Sequence, residues 1–162
     1  MDINKEKKCL IISASNIQNI RIRLPLFNFL KDKFTIVNFC GESIINGFKN
    51  QIEWKDAYNR KGKIFEIIIF FRLVILIMSY KPTHIISFAP KVNIYCGILS
   101  RIFNIKHAPV VSGLGSSVVS ITRMGSILNR LFKLSLINSD IVLTMNEFNF
   151  QFCKSILGND CV

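Results

Sequence analysis

The sequence alternates short apolar runs with longer segments of helical periodicity. Lys8–Ala14 reads as a buried strand, and the segment Arg23–Lys33 that follows reads as a helix with Leu26, Phe27 and Leu30 on one face. The same criteria predict strands at Phe34–Phe39, Thr83–Phe88, His107–Val111 and Asp140–Thr144, a short one within Ile52–Tyr58, and helices at Ile64–Tyr80, Asn93–Phe103, Arg123–Ile137 and Glu147–Leu157.

Strands separated by helices imply right-handed crossovers and a parallel sheet. We therefore predict one α/β domain over residues 1–162, with a Rossmann-like, doubly wound, mostly parallel sheet and helices on both faces. The composition agrees, because 50% of the residues are hydrophobic and 19% charged, which excludes a disordered chain and suits a sheet buried on both faces.

The charge of the chain predicts an anionic partner. Lys and Arg number 21 against 10 Asp and Glu, a net charge of +11. Nucleic acid, phospholipid headgroups and a phosphorylated substrate all fit that sign. The basic residues are scattered, and no zinc-finger, RNP or helix-turn-helix spacing occurs, so we expect no nucleic acid partner.

The cysteines and histidines predict neither a disulfide framework nor a metal site. The 5 cysteines are widely spaced and include no C-x-x-C, which is typical of reduced cytosolic thiols. Cys9 and Cys96 lie in apolar stretches and are expected to be buried and inert rather than catalytic. His84 and His107 each stand beside an apolar run without a companion ligand.

No segment predicts export or a membrane span. Met1–Lys8 is charged with both signs and lacks the regions of a signal peptide. Ile64–Tyr80 is strongly apolar, but it is shorter than a usual span and contains Glu66 and Arg72, so a buried crossover helix is the better interpretation. These features predict a cytoplasmic protein.

Polar residues follow several of the predicted strands. Ligands of open parallel sheets bind beyond the carboxyl ends of the strands, so these residues are the candidates for a binding site. They are Ser13, Ser15 and Asn16 after the first strand, Ala89, Pro90, Lys91 and Asn93 after the fourth, Ser112, Gly113, Leu114 and Gly115 after the fifth, and Asn146 and Glu147 after the sixth.

Neither a dinucleotide fingerprint nor a P-loop occurs in the sequence, so no cofactor is predicted. The short segment S-G-L-G, residues 112–115, would let backbone N–H groups approach an anionic or hydroxyl-rich ligand without interference from a Cβ. By itself the segment fits a tight structural turn equally well.

Four blocks carry a more specific signal. They are R-L-P-L at Arg23–Leu26, K-P-T-H-I-I-S-F-A-P-K-V-N-I-Y-C-G-I-L-S-R-I-F-N-I at Lys81–Ile105, V-V-S-G-L-G at Val110–Gly115 and S-D-I-V-L-T-M-N at Ser139–Asn146. In this order and spacing they resemble the family-4 glycosyltransferases of bacterial capsule, O-antigen and exopolysaccharide synthesis. The resemblance extends from about Cys9 to Cys153 and implies one half of a GT-B fold.

The sequence departs from the family pattern at several of these positions. The family's K-P-N is Lys91-Val92-Asn93, its Thr before G-L-G is Ser112, and an asparagine two residues before its first-helix arginine is Arg21. The acidic pair that often follows its sixth-strand asparagine is Phe148 and Asn149. A member of the family would also continue into a second, donor-binding domain.

The resemblance implies that this chain is the acceptor-side half, as a truncated product, a fragment or one subunit of a split enzyme. A second domain or subunit would hold the nucleotide-sugar donor. The acceptor would be a glycan on a polyprenyl diphosphate lipid, which sits at the inner face of the cytoplasmic membrane. The basic charge then fits peripheral attachment to an anionic membrane, although a generic, solvated excess of charge explains it equally well.

The resemblance and the positions after the strands together nominate ligand-binding residues, with no catalytic residue assigned. They are Asn16, Arg23, Lys91, Asn93, Ser112, Gly113, Gly115 and Asn146. Two of them have alternative explanations. Asn93 could be a helix N-cap, and Arg23 could pack the aliphatic part of its side chain on the first helix without contacting a ligand.

Two other classes of function stay open. The chain could be a non-catalytic partner that recruits a membrane glycan enzyme, or a stand-alone nucleotide-binding module.

Overall fold

The computed structural model describes residues 7–13, 24–40, 51–53, 63–114 and 122–158. Parallel strands alternate with helices there, which confirms the predicted α/β, Rossmann-like fold class. The strands are β1 Lys8–Ser13, β2 Thr35–Cys40, β3 Gln51–Glu53, β4 His84–Phe88, β5 Lys106–Val111 and β6 Leu143–Thr144. The helices are α1 at residues 24–30, α2 Lys63–Tyr80, α3 Pro90–Phe103, α4 Arg123–Ile137 and α5 Glu147–Leu157.

The chain divides into two compact units, Met1–His84 and Ile85–Val162. In the first unit the strand order is β3-β2-β1, and β1 pairs in parallel with β2 from Lys8↔Thr35 to Ser13↔Cys40. Every β1 residue after Lys8 is buried. A strand without an exposed face needs a continuous apolar run, and this explains why C-L-I-I was recognisable in the sequence.

Helix α2 belongs to the first unit and buries one line of aliphatic residues. Ile69, Leu73 and Ile77 are four residues apart, so they lie on one face, and all three are buried. The helix ends at Tyr80, and Lys81, which follows it directly before Pro82, has a left-handed φ of 52°. In the ranges that the structure describes, no helix is long and apolar enough to cross a membrane.

The second unit has the strand order β4-β5-β6, with β5 and β6 parallel through Val110↔Leu143 and Val111↔Thr144. Helices α3 and α4 lie against each other so closely that a Cβ built on Gly97 would be 2.5 Å from Ser135 Cβ. Glycine permits this approach of the two helices. The core beneath them consists of Ile94, Val111, Phe132, Leu136 and Cys153.

Several element boundaries differ from the sequence prediction. Helix α3 begins at Pro90 rather than Asn93, because proline fits the first helical turn, where an N–H would have no helical partner. Strand β6 is confined to Leu143–Thr144, within the predicted Asp140–Thr144. The first helix covers residues 24–30 of the predicted Arg23–Lys33 and continues as a turn. Strand β3 is Gln51–Glu53, and the rest of the predicted Ile52–Tyr58 lies outside the described residues.

Candidate functional site

A buried hydrogen-bond network joins β4, α3 and β5 near the carboxyl ends of the strands. The Ser87 hydroxyl in β4 donates to Asn93 Oδ1 in α3 at 2.8 Å, and Asn93 Nδ2 donates to the Val110 carbonyl in β5 at 3.2 Å. Both side chains are at most 1% exposed. A buried amide without partners would cost several kcal/mol, so these bonds let the site carry polar groups inside an apolar core.

His107 extends the same network from the start of β5. Its Nε2 lies 2.8 Å from Ser87 Oγ. In the tautomer that carries its proton on Nε2, His107 donates to Ser87 Oγ, whose own proton goes to Asn93. Burial lowers the pKa of His107 to about 4, against an opposing contribution from the Asp140 carboxylate, whose Oδ2 accepts from the His107 backbone N–H at 2.9 Å. The imidazole is therefore neutral at physiological pH and has a structural role in the network.

A second pair of asparagines fixes the end of β5 from the other side. Asn146 caps α5, because its Oδ1 accepts from the Asn149 N–H at 2.8 Å. Asn149 is buried and its Nδ2 donates to the Val111 carbonyl at 3.1 Å. The carbonyls of Val110 and Val111 are thus each held by an asparagine from a different helix. This arrangement sets the direction in which the chain leaves β5.

The loop that leaves β5 is accessible. Residues 112–114 are its described part, with Ser112 exposed and Gly113 partly buried. A Cβ on Gly113 would meet no atom within 4 Å, and its φ is not left-handed. The fold therefore does not require glycine at this position, although the backbone is open to a ligand.

The turn from β4 into α3 is strained. Ala89, the N-cap residue of α3, has φ 87° and ψ 140°, a conformation normally reserved for glycine. It is followed by Pro90, and the exposed Lys91 then lies in the first helical turn, whose N–H groups face the carboxyl ends of the strands. Strain of this kind is concentrated at functional sites, so we retain this turn as part of the candidate site.

The structure places the predicted residues in different surroundings. Lys91 and Ser112 are exposed, whereas Asn93 is buried with both ends of its amide bonded within the protein. The alternative that Asn93 is an N-cap is wrong, because α3 begins earlier and Ala89 occupies that position. Asn146 is the cap of α5. Asn16, Arg23 and Gly115 lie outside the described residues.

The cysteines behave as buried hydrophobic residues. Cys9 and Cys96 are at most 1% exposed, as predicted. Burial raises the pKa of Cys9 to about 12 and also raises the pKa of Cys96, so neither thiol ionises to a nucleophile at neutral pH. Among the described residues, no group of His, Cys, Asp and Glu is arranged to hold a metal ion.

A cavity of about 590 Å³ lies elsewhere in the second unit. It is bounded by the end of α4, the β6 segment and the inner face of α5. Lys91, Asn93, Ser112, Gly113 and Asn146 do not line it. The cavity is therefore separate from the candidate site.

Sequence reasoning missed the residues that support the site. Ser87, His107 and Asn149 occupy apolar or ordinary helical surroundings in the sequence, and their function is visible only through partners far along the chain. The one available signal was that each is a polar residue within a stretch that has to be buried.

No protein-family model matches the sequence. No curated protein matches it either. Solved structures do, at low identity: a sucrose-phosphate synthase from Thermosynechococcus elongatus has a TM-score of 0.68 and 12% identity, over 93% of this chain and 45% of that one. The UDP-GlcNAc 2-epimerase from Methanocaldococcus jannaschii has a TM-score of 0.64 and 12% identity, over 94% of this chain and 42% of that one. A putative UDP-N-acetylglucosamine 2-epimerase from Listeria monocytogenes has a TM-score of 0.66 and 11% identity, over 94% of this chain and 41% of that one.

These neighbours share a GT-B type of fold, and the chain spans less than half of the length of each. The identities are low, so the likeness establishes the fold alone. The described strands and helices have an α/β, Rossmann-like fold that matches these structures.

Proposed function

We propose that this chain is the acceptor-side half of a glycosyltransferase that moves a sugar from a nucleotide-sugar donor to a lipid-linked or glycan acceptor in surface polysaccharide synthesis. The observation that carries the proposal is the pattern of coverage. The chain matches GT-B structures over 93–94% of its own length and only 41–45% of theirs. The names of these neighbours denote enzymes that handle phosphorylated or nucleotide-linked sugars.

The sequence blocks support the acceptor side. The S-G-L-G segment and the A-P-K-V-N segment, which resemble those of family-4 enzymes, follow β5 and β4 at their carboxyl ends. We assign ligand contact to the exposed residues Lys91 and Ser112 and to the open backbone at Gly113. Asn93 and Asn146 then act as positioning residues, because Asn93 holds the β5 carbonyl at Val110 and Asn146 begins the helix that carries Asn149.

Charge supports an anionic acceptor. A polyprenyl diphosphate carries anionic oxygens that Lys91 and the N-terminal turn of α3 can bind, because helix N-termini favour anions. The net charge of +11 has the sign that peripheral attachment to an anionic membrane requires. The donor would bind to a second domain or subunit.

Binding and turnover by the purified chain test this proposal. The chain alone should bind a water-soluble, short-prenyl diphosphate sugar and should transfer no sugar from any UDP- or GDP-sugar, because the proposal assigns the donor site to a second domain or subunit. Isothermal titration and radiolabelled transfer measure the two properties. Turnover by the chain alone would refute the acceptor-half assignment. Affinity for nucleotide without affinity for the acceptor would favour the nucleotide-binding module.

The Gly113→Val variant makes the test specific to the site. A Cβ at this position meets no atom within 4 Å, so the melting temperature should stay near that of the wild type, while the acceptor affinity should fall at least tenfold because the side chain occupies ligand space. Ser155→Val, on the exposed side of α5, is the control and should change neither property. An unchanged acceptor affinity in Gly113→Val would remove this loop from the site.

A further inference from the structure

The solvent-facing side of α4 is a stripe that mixes cations with large apolar residues. Arg123, Ile127, Arg130, Leu134 and Ile137 follow one another at intervals of four and three residues, so they lie along one side of the helix. We call them the α4 outer face. All are exposed, and more than half of the surface of Ile127, Leu134 and Ile137 is accessible. The buried side of the helix is formed by Gly125, Phe132, Ser135 and Leu136.

Helix α3 also exposes apolar side chains. It lies alongside α4 through the close approach of Gly97 to Ser135, and Arg101 Nη1 donates to Asn138 Oδ1 at 2.7 Å where both helices end. Ile98 and Ile102, each one residue beyond these contact positions in α3, are exposed. Two neighbouring helices therefore present apolar side chains to solvent next to a shared contact. Surfaces of this kind mark protein or membrane contacts.

The charges decide between possible occupants. Neither α3 nor α4 contains an aspartate or glutamate, whereas α4 exposes Arg123, Arg130 and Lys133. A second copy of this chain would bring the same positive charge and would be repelled. Isoleucine and leucine interleaved with arginine match an anionic bilayer, in which apolar groups enter the boundary of the acyl chains while arginines reach the phosphates.

We propose that the α4 outer face lies on the surface of an anionic phospholipid bilayer, with Ile127, Leu134 and Ile137 inserted at the headgroup boundary. This inference rests on the proposed function, because a lipid-linked acceptor requires the chain to work at a membrane surface. The total charge of the chain indicates attraction to an anionic membrane, whereas this proposal identifies the surface that makes the contact.

Helix α2 provides a matched comparison. It also exposes a line of large apolar residues, including Phe71 and Ile75 at 60% and 63%. Its described side chains include one basic residue, Arg72, and one acidic residue, Glu66, so they carry no excess of positive charge. If exposed apolar area alone caused membrane binding, α2 would serve as well as α4.

Co-sedimentation of the full chain with vesicles tests the proposal. The vesicles contain equal parts of phosphatidylglycerol and phosphatidylcholine, with pure phosphatidylcholine as the neutral reference and no sugar or acceptor present. The variants are Arg130→Gln with Lys133→Gln, Ile127→Ser with Leu134→Ser, and, as the control in α2, Phe71→Ser with Ile75→Ser. Melting temperatures and affinity for the short-prenyl acceptor are measured on the same samples.

We expect the wild type to bind the anionic vesicles and not the neutral ones. Each removed cation should weaken binding about fivefold and each removed apolar residue about tenfold, while the α2 control binds as the wild type does. All variants should keep their melting temperatures and their affinity for the soluble acceptor.

Four results would overturn the proposal. Two concern binding to anionic vesicles: the wild type does not bind them, or both α4 variants bind them as well as the wild type does. The third is that the α2 control variant loses vesicle binding instead. The fourth is that the α4 variants lose affinity for the soluble acceptor, which would make this face part of the acceptor site. Failure of the proposed function gives a different result, because vesicle binding would persist in a chain that binds no acceptor.

Discussion

Replacing Gly97 with alanine tests the contact between α3 and α4. The new Cβ would lie 2.5 Å from Ser135 Cβ, 2.9 Å from Ser135 Cα and 3.4 Å from the Ser135 carbonyl oxygen. Two of these distances are shorter than real Cβ contacts, and one of those involves the backbone. Rotation of a side chain cannot relieve that contact, so the two helices have to move apart.

Two opposing effects set the size of the change. Alanine is favoured over glycine within a helix by about 0.5–1 kcal/mol, and overpacking a close contact costs about 1–3 kcal/mol. Because a backbone atom blocks relaxation, we take the upper end of the cost and expect a net loss of about 2 kcal/mol. For a domain of this size that corresponds to a fall of about 4–8 °C in the melting temperature.

Thermal and urea unfolding followed by circular dichroism measure the loss. Gly113→Ala is the control, because its Cβ meets nothing, and it should change stability by less than about 0.5 kcal/mol. Ser135→Gly removes the nearest partner and leaves its Cα, so a double-mutant cycle should return part of the lost stability. If Gly97→Ala is as stable as the wild type or more stable, the close packing of these helices is refuted.

Three further predictions concern single residues. The free energy of unfolding of the wild type should fall by about 3 kcal/mol as the pH drops from about 6.5 to about 4, because His107 binds a proton in the unfolded chain but stays neutral when buried. Urea titrations of His107→Gln at the same pH values should lack this loss. An equal dependence of stability on pH in both proteins would contradict the assignment. Ala89→Gly should stabilise by about 1 kcal/mol, since it relieves a φ of 87°, and a lower melting temperature would show that the turn is unstrained. Cys9 and Cys96 should resist iodoacetamide in the native protein and react after denaturation, as peptide mass spectrometry would detect; rapid native alkylation would contradict their burial.

The extent to which the sequence predicted the fold varies with the kind of element. Arg123–Ile137 and Glu147–Leu157 were predicted with their observed boundaries, and the C-terminal end of α2 was predicted from Pro82. These signals are local, because apolar periodicity, proline and capping residues act within a few positions. The N-terminus of α3 was misplaced because proline opens as well as ends helices, and only the strained turn at Ala89 shows which applies here.

The candidate site divides in the same way. Hydrophobic patterning predicted where the strands end, and the rule for open parallel sheets is general, so Lys91, Asn93 and Ser112 could be nominated without a structure.

Other properties follow only from the packing of the folded chain: Asn93 points inward to Val110 while Lys91 stays exposed, His107 is buried and neutral, and Ser135 leaves no room for a side chain at Gly97. These properties depend on atoms 17 to 38 residues apart along the chain, which local periodicity cannot register. They arise because a close-packed interior brings such atoms within bonding or clashing distance.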